Sequence, residues 1–155
     1  MTDITKIEPI VRSVTVRASQ EEAFRLFTEG SGTWWPLETH RVLNDSDVDV
    51  VFEGRVNGRI FERAKDGTEA SWGHVLEWDP PRRVVYDWQP NTESPAPTEV
   101  EVRFTSEDGG TRVEIEHRGW ERLGDIAAEA RANYNAPDGW TMVIARYVDA
   151  AGGDA

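Results

Sequence analysis

Apolar and polar residues alternate through Ile10, Val14 and Val16, the period of a strand with one dry face. Arg12 falls in phase with that apolar set, which places this first strand at a sheet edge or starts it late. At Ser19 the period changes. Glu22 stands three residues on, the S-x-x-E spacing that satisfies the orphan N–H groups of a helix start. Ala23, Phe24, Leu26 and Phe27 then give a short amphipathic helix closing near Gly30. The Gly32–Pro36 stretch follows as a second helical turn or a compact loop holding Trp34 and Trp35.

From Val48 to Arg118 the period is that of strands, predicted at Val48–Glu53, Val56–Arg63, Thr68–Trp78, Arg82–Trp88, Thr98–Ser106 and Thr111–Arg118. Between them stand Gly54, Lys65-Asp66-Gly67, Asp79-Pro80-Pro81, the 89–97 loop and Asp108-Gly109-Gly110, all turn chemistry. The last pair alternates most cleanly. Val100, Val102, Phe104, Val113 and Ile115 share one face, and Glu99, Glu101, Arg103, Arg112, Glu114 and Glu116 take the other. One sheet face is therefore dry and the other a charged, solvated surface. Leu123 to Tyr134 is Ala-rich and helical, and Pro137 interrupts it. Asp138 is positioned to cap a final helix striped by Trp140, Val143, Ile144, Tyr147 and Val148. That stripe needs an apolar partner, and the dry sheet face is the one large enough. The pattern predicts an α+β fold, a curved antiparallel β-sheet wrapped around a long C-terminal helix, with short helices between strands 1 and 2.

Composition narrows the function. A length of 155 residues suits one domain, read here as an N-terminal segment 1–9, a domain 10–149 and a flexible tail 150–155. Seventeen Lys and Arg against 29 Asp and Glu leave a net charge of −12, which repels phosphate backbones and anionic lipids. Nucleic acid and membrane are thus unexpected partners. Without cysteine there is neither a disulfide framework nor a thiolate metal site. The Met1–Glu8 segment lacks a signal-peptide core, so a cytoplasmic location is expected.

Specific words in the chain carry a resemblance. They are Ala23-Phe24 with Phe27, Trp34-Trp35-Pro36 with His40, and Asn57-Gly58-Arg59-Ile60 with Glu62 and Asp66-Gly67. Trp72-Gly73-His74-Val75, Trp78-Asp79-Pro80-Pro81 and Trp88 continue the series, and His117-Arg118-Gly119-Trp120-Glu121 and Gly139-Trp140 complete it. Spread over residues 10–148, they resemble the helix-grip (START-like) superfamily. The nearest branch is the one named for homology to the C-terminal domain of the activator of heat-shock protein 90 ATPase. The resemblance implies a cavity between curved sheet and C-terminal helix, used across the superfamily for lipids, hormones, polyketides or other apolar molecules. A few members similar to polyketide cyclases do chemistry there.

Seven of the fifteen aromatics are tryptophan. Each indole buries much apolar area, so each can be core; each also carries an N–H that must find a partner, which makes Trp an awkward filler. Trp34, Trp72, Trp88 and Trp140 are the leading cavity-lining candidates, with Tyr86 and Trp120 beside them. His117 continues the inward phase of Val113 and Ile115. It is either a buried histidine bonded to a carbonyl or carboxylate, or a polar group that orients a ligand or acts as general base. Glu62 shares the phase of Ile60 and faces inward if the strand has no bulge, where a histidine or arginine could pair with it. His40 lies near the mouth, and the direction of His74 depends on whether its long strand bulges. No H-E-x-x-H, G-x-S-x-G or G-x-x-x-x-G-K word occurs, and no metal or cofactor is expected.

Together these features predict a protein that binds a small apolar or aromatic molecule, as a monomer or homodimer. Two alternatives stand beside it. One is a protein-interaction module related to chaperone activators; the other is a cyclase-like or hydrolase-like enzyme using His117 and Glu62 as acid and base.

Overall fold

In the computed structural model, which describes residues 7–44, 47–90 and 94–153, the Ser19 hydroxyl accepts from the Glu22 amide at 3.3 Å. That cap starts α1 (Gln20–Phe27) directly behind β1 (Ile10–Val16). A 3₁₀ turn at Ser31–Thr33 follows, then β2 (Val48–Phe52), β3 (Arg59–Ala64), β4 (Glu69–Asp79), β5 (Arg83–Trp88), β6 (Thr98–Glu107) and β7 (Gly110–Arg118). A 3₁₀ stretch at Trp120–Ile126 leads into α2 (Ala127–Asn135), and a π-helical turn at Pro137–Thr141 leads into α3 (Met142–Ala150). All pairings are antiparallel, in the order β1-β7-β6-β5-β4-β3-β2. β1 is an edge strand, one of the two readings that the phase of Arg12 allowed. The Arg12 side chain reaches over that edge to Asn135 Oδ1 at 2.8 Å.

The inner face carries Val84, Tyr86, Val100, Val102, Phe104, Val113 and Ile115, all buried. α1 and α3 close over it. Phe24 and Phe27 pack edge-on to Phe104, at 5.1 and 6.0 Å between ring centres. Tyr147 of α3 lies edge-on to Phe27 at 5.1 Å and to Trp34 at 5.2 Å, and its hydroxyl donates to the Ala23 carbonyl at 2.8 Å. One buried side chain thus ties the last helix to the first.

Several local expectations are corrected. β3 begins at Arg59 rather than Val56, because Arg55–Gly58 form a turn in which Gly58 N–H bonds Arg55 O and Asn57 takes φ 67°. The helix expected from Leu123 begins as a 3₁₀ turn and kinks at Gly124, whose φ/ψ of 62°/−127° is not helical. Asp138 sits inside the π-turn and makes no side-chain cap, so the C-terminal helix proper is the nine-residue α3, shorter than expected. The tail is docked rather than loose through residue 153: Arg17 N–H bonds Gly153 O, Ala18 N–H bonds Ala151 O, and Ala151 is buried. Residues 154 and 155 lie outside the described residues.

The outer face is less solvated than its pattern suggested. Glu101 of β6 is buried beneath Arg83 (2.7 Å), Arg118 (2.6 Å) and Arg103 (3.1 Å). Arg83 also holds Glu77 of β4, and Arg118 also holds Glu99 and Glu116, so the four strands β4 to β7 are laced together by one ion-pair network. Burial alone raises the Glu101 carboxyl, but the hydrogen bonds from Arg83, Arg118 and Arg103 outweigh it and bring the pKa down to about 2.

That depression sets the pH dependence. A carboxyl with a lower pKa in the fold than in the open chain contributes stability above its ordinary value of 4.5, and loses it as pH falls toward 2. The full difference is on the order of 3 kcal/mol. In urea denaturation, Glu101→Gln is expected to be less stable than the parent by about 2–3 kcal/mol at pH 7. The gap should shrink as pH is lowered through the window from 4.5 to 2. A gap independent of pH would contradict this account.

Candidate functional site

In β4 the inward positions Trp72, Val75 and Trp78 are three apart, not two, so the strand must slip once between each pair. It does. Opposite β3 the register passes from Phe61–Ser71 to Ile60–Gly73, and opposite β5 from Tyr86–Val75 to Val85–Glu77. Trp72 and Leu76 are the extra residues. The first bulge brings β4 so close to β5 that a Cβ on Gly73 would lie 1.9 Å from the Asp87 carbonyl oxygen. It also settles His74, which points outward, half exposed, with Nδ1 3.6 Å from Asp87 Oδ1. Gly139 plays the matching part beside Trp140, where a Cβ would meet the Tyr134 carbonyl at 2.1 Å.

Between this bulged end of the sheet and the C-terminal helices lies a cleft of about 230 Å³. Its aromatic walls are Trp35, Trp72, Trp88, Tyr134 and Trp140, with Val143 of α3 behind them. Trp35, Trp72 and Trp88 form a triangle, their ring centres 5.0, 5.3 and 5.8 Å apart. The loop ahead of β2 supplies Thr39, His40, Arg41 and Val42, and β3 supplies Glu62.

Each of the four cleft indoles spends its N–H inside the protein. Trp35 donates to the His40 carbonyl at 2.8 Å, Trp72 to Glu62 Oε2 at 2.6 Å, Trp88 to the Tyr134 hydroxyl at 3.0 Å and Trp140 to His117 Nδ1 at 2.9 Å. Glu62, fully buried, meets no histidine or arginine as partner among the described residues. Its carboxylate instead accepts from Trp72, from the Leu43 amide at 3.0 Å and from the Val42 amide. It lines the cleft while its charge is spread over three N–H donors.

His117 is fully buried behind Trp140 and does not reach the cleft. Because Trp140 N–H can only donate, Nδ1 is the acceptor and Nε2 carries the proton, which goes to Thr98 Oγ1 at 2.7 Å. The Thr98 hydroxyl passes its own proton to the Trp88 carbonyl at 3.2 Å. Burial pushes the imidazole pKa down to about 3, so it stays neutral. With both nitrogens engaged, His117 is not placed to act as a base in the cleft or to work there with Glu62 as an acid–base pair.

The remaining candidates divide plainly. His40 lines the cleft, with Nε2 bonded to the Asp138 carbonyl at 2.8 Å and Nδ1 to Thr39 Oγ1 at 2.7 Å; it clasps the loop to the π-turn. An ion pair between Glu38 and Arg146 adds a second clasp. Trp34 is core, packed on Phe27, with its N–H on the Leu26 carbonyl at 2.8 Å. Tyr86 and Trp34 border a separate void of about 20 Å³. Trp120 is fully buried against His117, 4.2 Å between ring centres, and donates to the His117 carbonyl. The sequence reading missed Trp35, Tyr134 and Arg41. Trp35 stood in the same word as Trp34 and only the loop's path separates them; Tyr134 and Arg41 carried no periodic signal. Burial raises the Tyr134 phenol against a smaller downward pull from the Trp88 N–H, so its hydroxyl stays protonated and can donate. Among the described residues no three His, Asp or Glu converge as a metal site, and no helix is long and apolar enough to cross a membrane.

Imidazole ¹⁵N NMR tests the His117 assignment. Of the three histidines, one is expected to remain neutral with its proton on Nε2 from pH 8 down to pH 4. The unfolded chain takes up that proton near pH 6.5 and the fold does so near 3, so stability must fall as pH is lowered across that window. Three histidines all titrating near their ordinary value would contradict the buried relay.

Comparisons with known proteins agree with this architecture. An anthrahydroquino-γ-pyrone synthase, Txn09, is 34% identical, with 95% of this chain and 99% of that one covered at a TM-score of 0.63. The self-sacrificing resistance protein CalC from Micromonospora echinospora is 26% identical over 94% of this chain and 96% of its own, at 0.68. An Aha1 dimer from Colwellia psychrerythraea, 21% identical over 94% and 96% of the two chains at 0.63, shares the fold. No curated protein sequence matches the chain. The family described as activator of Hsp90 ATPase homolog 1-like protein matches residues 17–150, almost the whole of the sheet and its covering helices, and the chain belongs to that family.

Proposed function

We propose that this protein binds a small, flat aromatic or apolar molecule in the cleft between the bulged end of the sheet and the C-terminal helices. The observation that carries the reading is the orientation of the indoles. All four cleft tryptophans turn their N–H groups into the wall, so the cleft offers ring faces and edges and little unsatisfied polarity. A surface of that kind favours stacking with a planar partner over hydrogen-bonded recognition of a sugar or peptide. The Tyr134 hydroxyl, protonated and with its own hydrogen uncommitted, supplies one donor to set the ligand's orientation. At about 230 Å³ the cleft lies just below the range of drug-sized pockets, roughly 300–1,000 Å³, which suits a mono- or bicyclic ring system.

A second reading draws on the 34% identity to a synthase: the same cleft carries out a reaction on its aromatic guest. For such a step Tyr134 has an uncommitted proton, while Glu62 is held by its three N–H donors and His117 is sealed behind Trp140. The binding reading requires no such step. Docking of a protein partner, the remaining alternative, would not need an aromatic-walled cleft.

Intrinsic fluorescence tests the proposal directly, because the reporters are the walls. Titration with 2-naphthol is expected to change the emission saturably. Trp35→Leu should weaken binding about tenfold, the loss of one well-packed ring contact, on the order of 1.4 kcal/mol. Trp78→Leu, which lies outside the cleft, should bind as the parent does. No saturable change with 2-naphthol or other flat apolar probes would overturn the reading.

A further inference from the structure

Arg41 differs from every other group in the cleft wall. Its Nη1 donates to the Leu37 carbonyl at 3.0 Å and to the Glu38 carbonyl at 3.1 Å, which fixes the plane of the guanidinium. Its Nε is buried and has no hydrogen-bond partner among the described residues. Among the described residues no carboxylate forms an ion pair with it. Nε and Nη2 lie on the same edge of the guanidinium, opposite the anchored Nη1, and present two parallel N–H groups. That spacing matches the two oxygens of a carboxylate.

Glu62 faces the same cleft but does not answer Arg41, because its oxygens are held by the Val42 and Leu43 amides and the Trp72 indole. Its negative charge steers an anionic group away from its own end and toward the arginine. The protein as a whole carries −12, so attraction of an acid cannot come from the overall field and must come from this one local group. Beside the free proton of Tyr134, the polar group of this wall left without a protein partner among the described residues is the Arg41 Nε, and a guanidinium so placed is complementary to a ligand with one planar oxyanion.

We infer that the cleft takes a planar aromatic acid, its ring system against Trp35, Trp72 and Trp88 and its carboxylate paired with the guanidinium of Arg41. The inference rests on the aromatic-cleft reading and adds the chemical class of the ligand.

The test compares 2-naphthoate with its neutral counterpart 2-naphthamide, by tryptophan fluorescence and calorimetry at pH 7, on the parent protein, Arg41→Gln and Arg41→Lys. On the parent the acid is expected to bind at least tenfold more tightly than the amide. Arg41→Gln should abolish that preference while leaving amide affinity within twofold, which also shows the cleft intact. Arg41→Lys should restore only part of the preference, since an ammonium cannot offer two parallel donors. Equal affinity of the parent for acid and amide overturns the inference and leaves the aromatic cleft standing. So does an acid preference that survives Arg41→Gln. If Arg41→Gln loses both probes, the parent's acid-to-amide ratio decides. If neither probe binds the parent, the aromatic-cleft reading fails, and this inference fails with it.

Discussion

A buried indole must give its N–H away. Left without an acceptor, the group costs about 1–3 kcal/mol, a large share of what a domain of this size has in reserve. With seven tryptophans in 155 residues, that requirement organises the interior. Six indoles have acceptors inside the protein: Glu62 for Trp72, His117 for Trp140, the Tyr134 hydroxyl for Trp88, and main-chain carbonyls for Trp34, Trp35 and Trp120. Residue types that suggest catalysis are here consumed by the walls. What the described residues leave unpartnered at the cleft, beside aromatic surface, is one phenolic proton and the Nε of Arg41.

The backbone devices serve the same end. Two register slips in β4 aim Trp72, Val75 and Trp78 at one side of the sheet, and Gly73 allows the close approach of β5 that the first slip demands. Gly139 lets the π-turn fold back on α2 and places Trp140 over His117. On the opposite face, Glu101 and its three arginines lace β5, β6 and β7 together. The strands that carry Trp88 and His117 are thus held from behind, which favours a preformed cleft over one that assembles around its guest.

Much of this was legible before any coordinates. The seven strands, the Ser19 cap, the edge position of β1 and the stripe of α3 follow from periodicities of two and 3.6, because those periods report which side of an element is dry. The inward direction of His117 and Glu62 followed from the same phase. Their roles did not, because a phase says that a side chain is buried and not what it meets once there. Of the nine candidate residues, His40, Glu62, Trp72, Trp88 and Trp140 line the cleft; Trp34, Tyr86, Trp120 and His117 belong to the packing behind it. The exchange of Trp34 for Trp35 shows why: neighbouring residues in an irregular loop have no period to separate them. Arg41 escaped for a related reason, since an unanswered donor becomes visible only once the groups around it in space are known.

Exchange of the indole N–H protons tests this account most directly. In ¹H–¹⁵N spectra of the free protein, the indole protons of Trp72 and Trp140 are predicted to exchange with solvent far more slowly than an exposed indole. They should keep that protection when an aromatic guest occupies the cleft, because the guest meets ring faces and not N–H groups. Rapid exchange of both in the free protein, or a loss of protection as their N–H groups turn toward a guest, would contradict it.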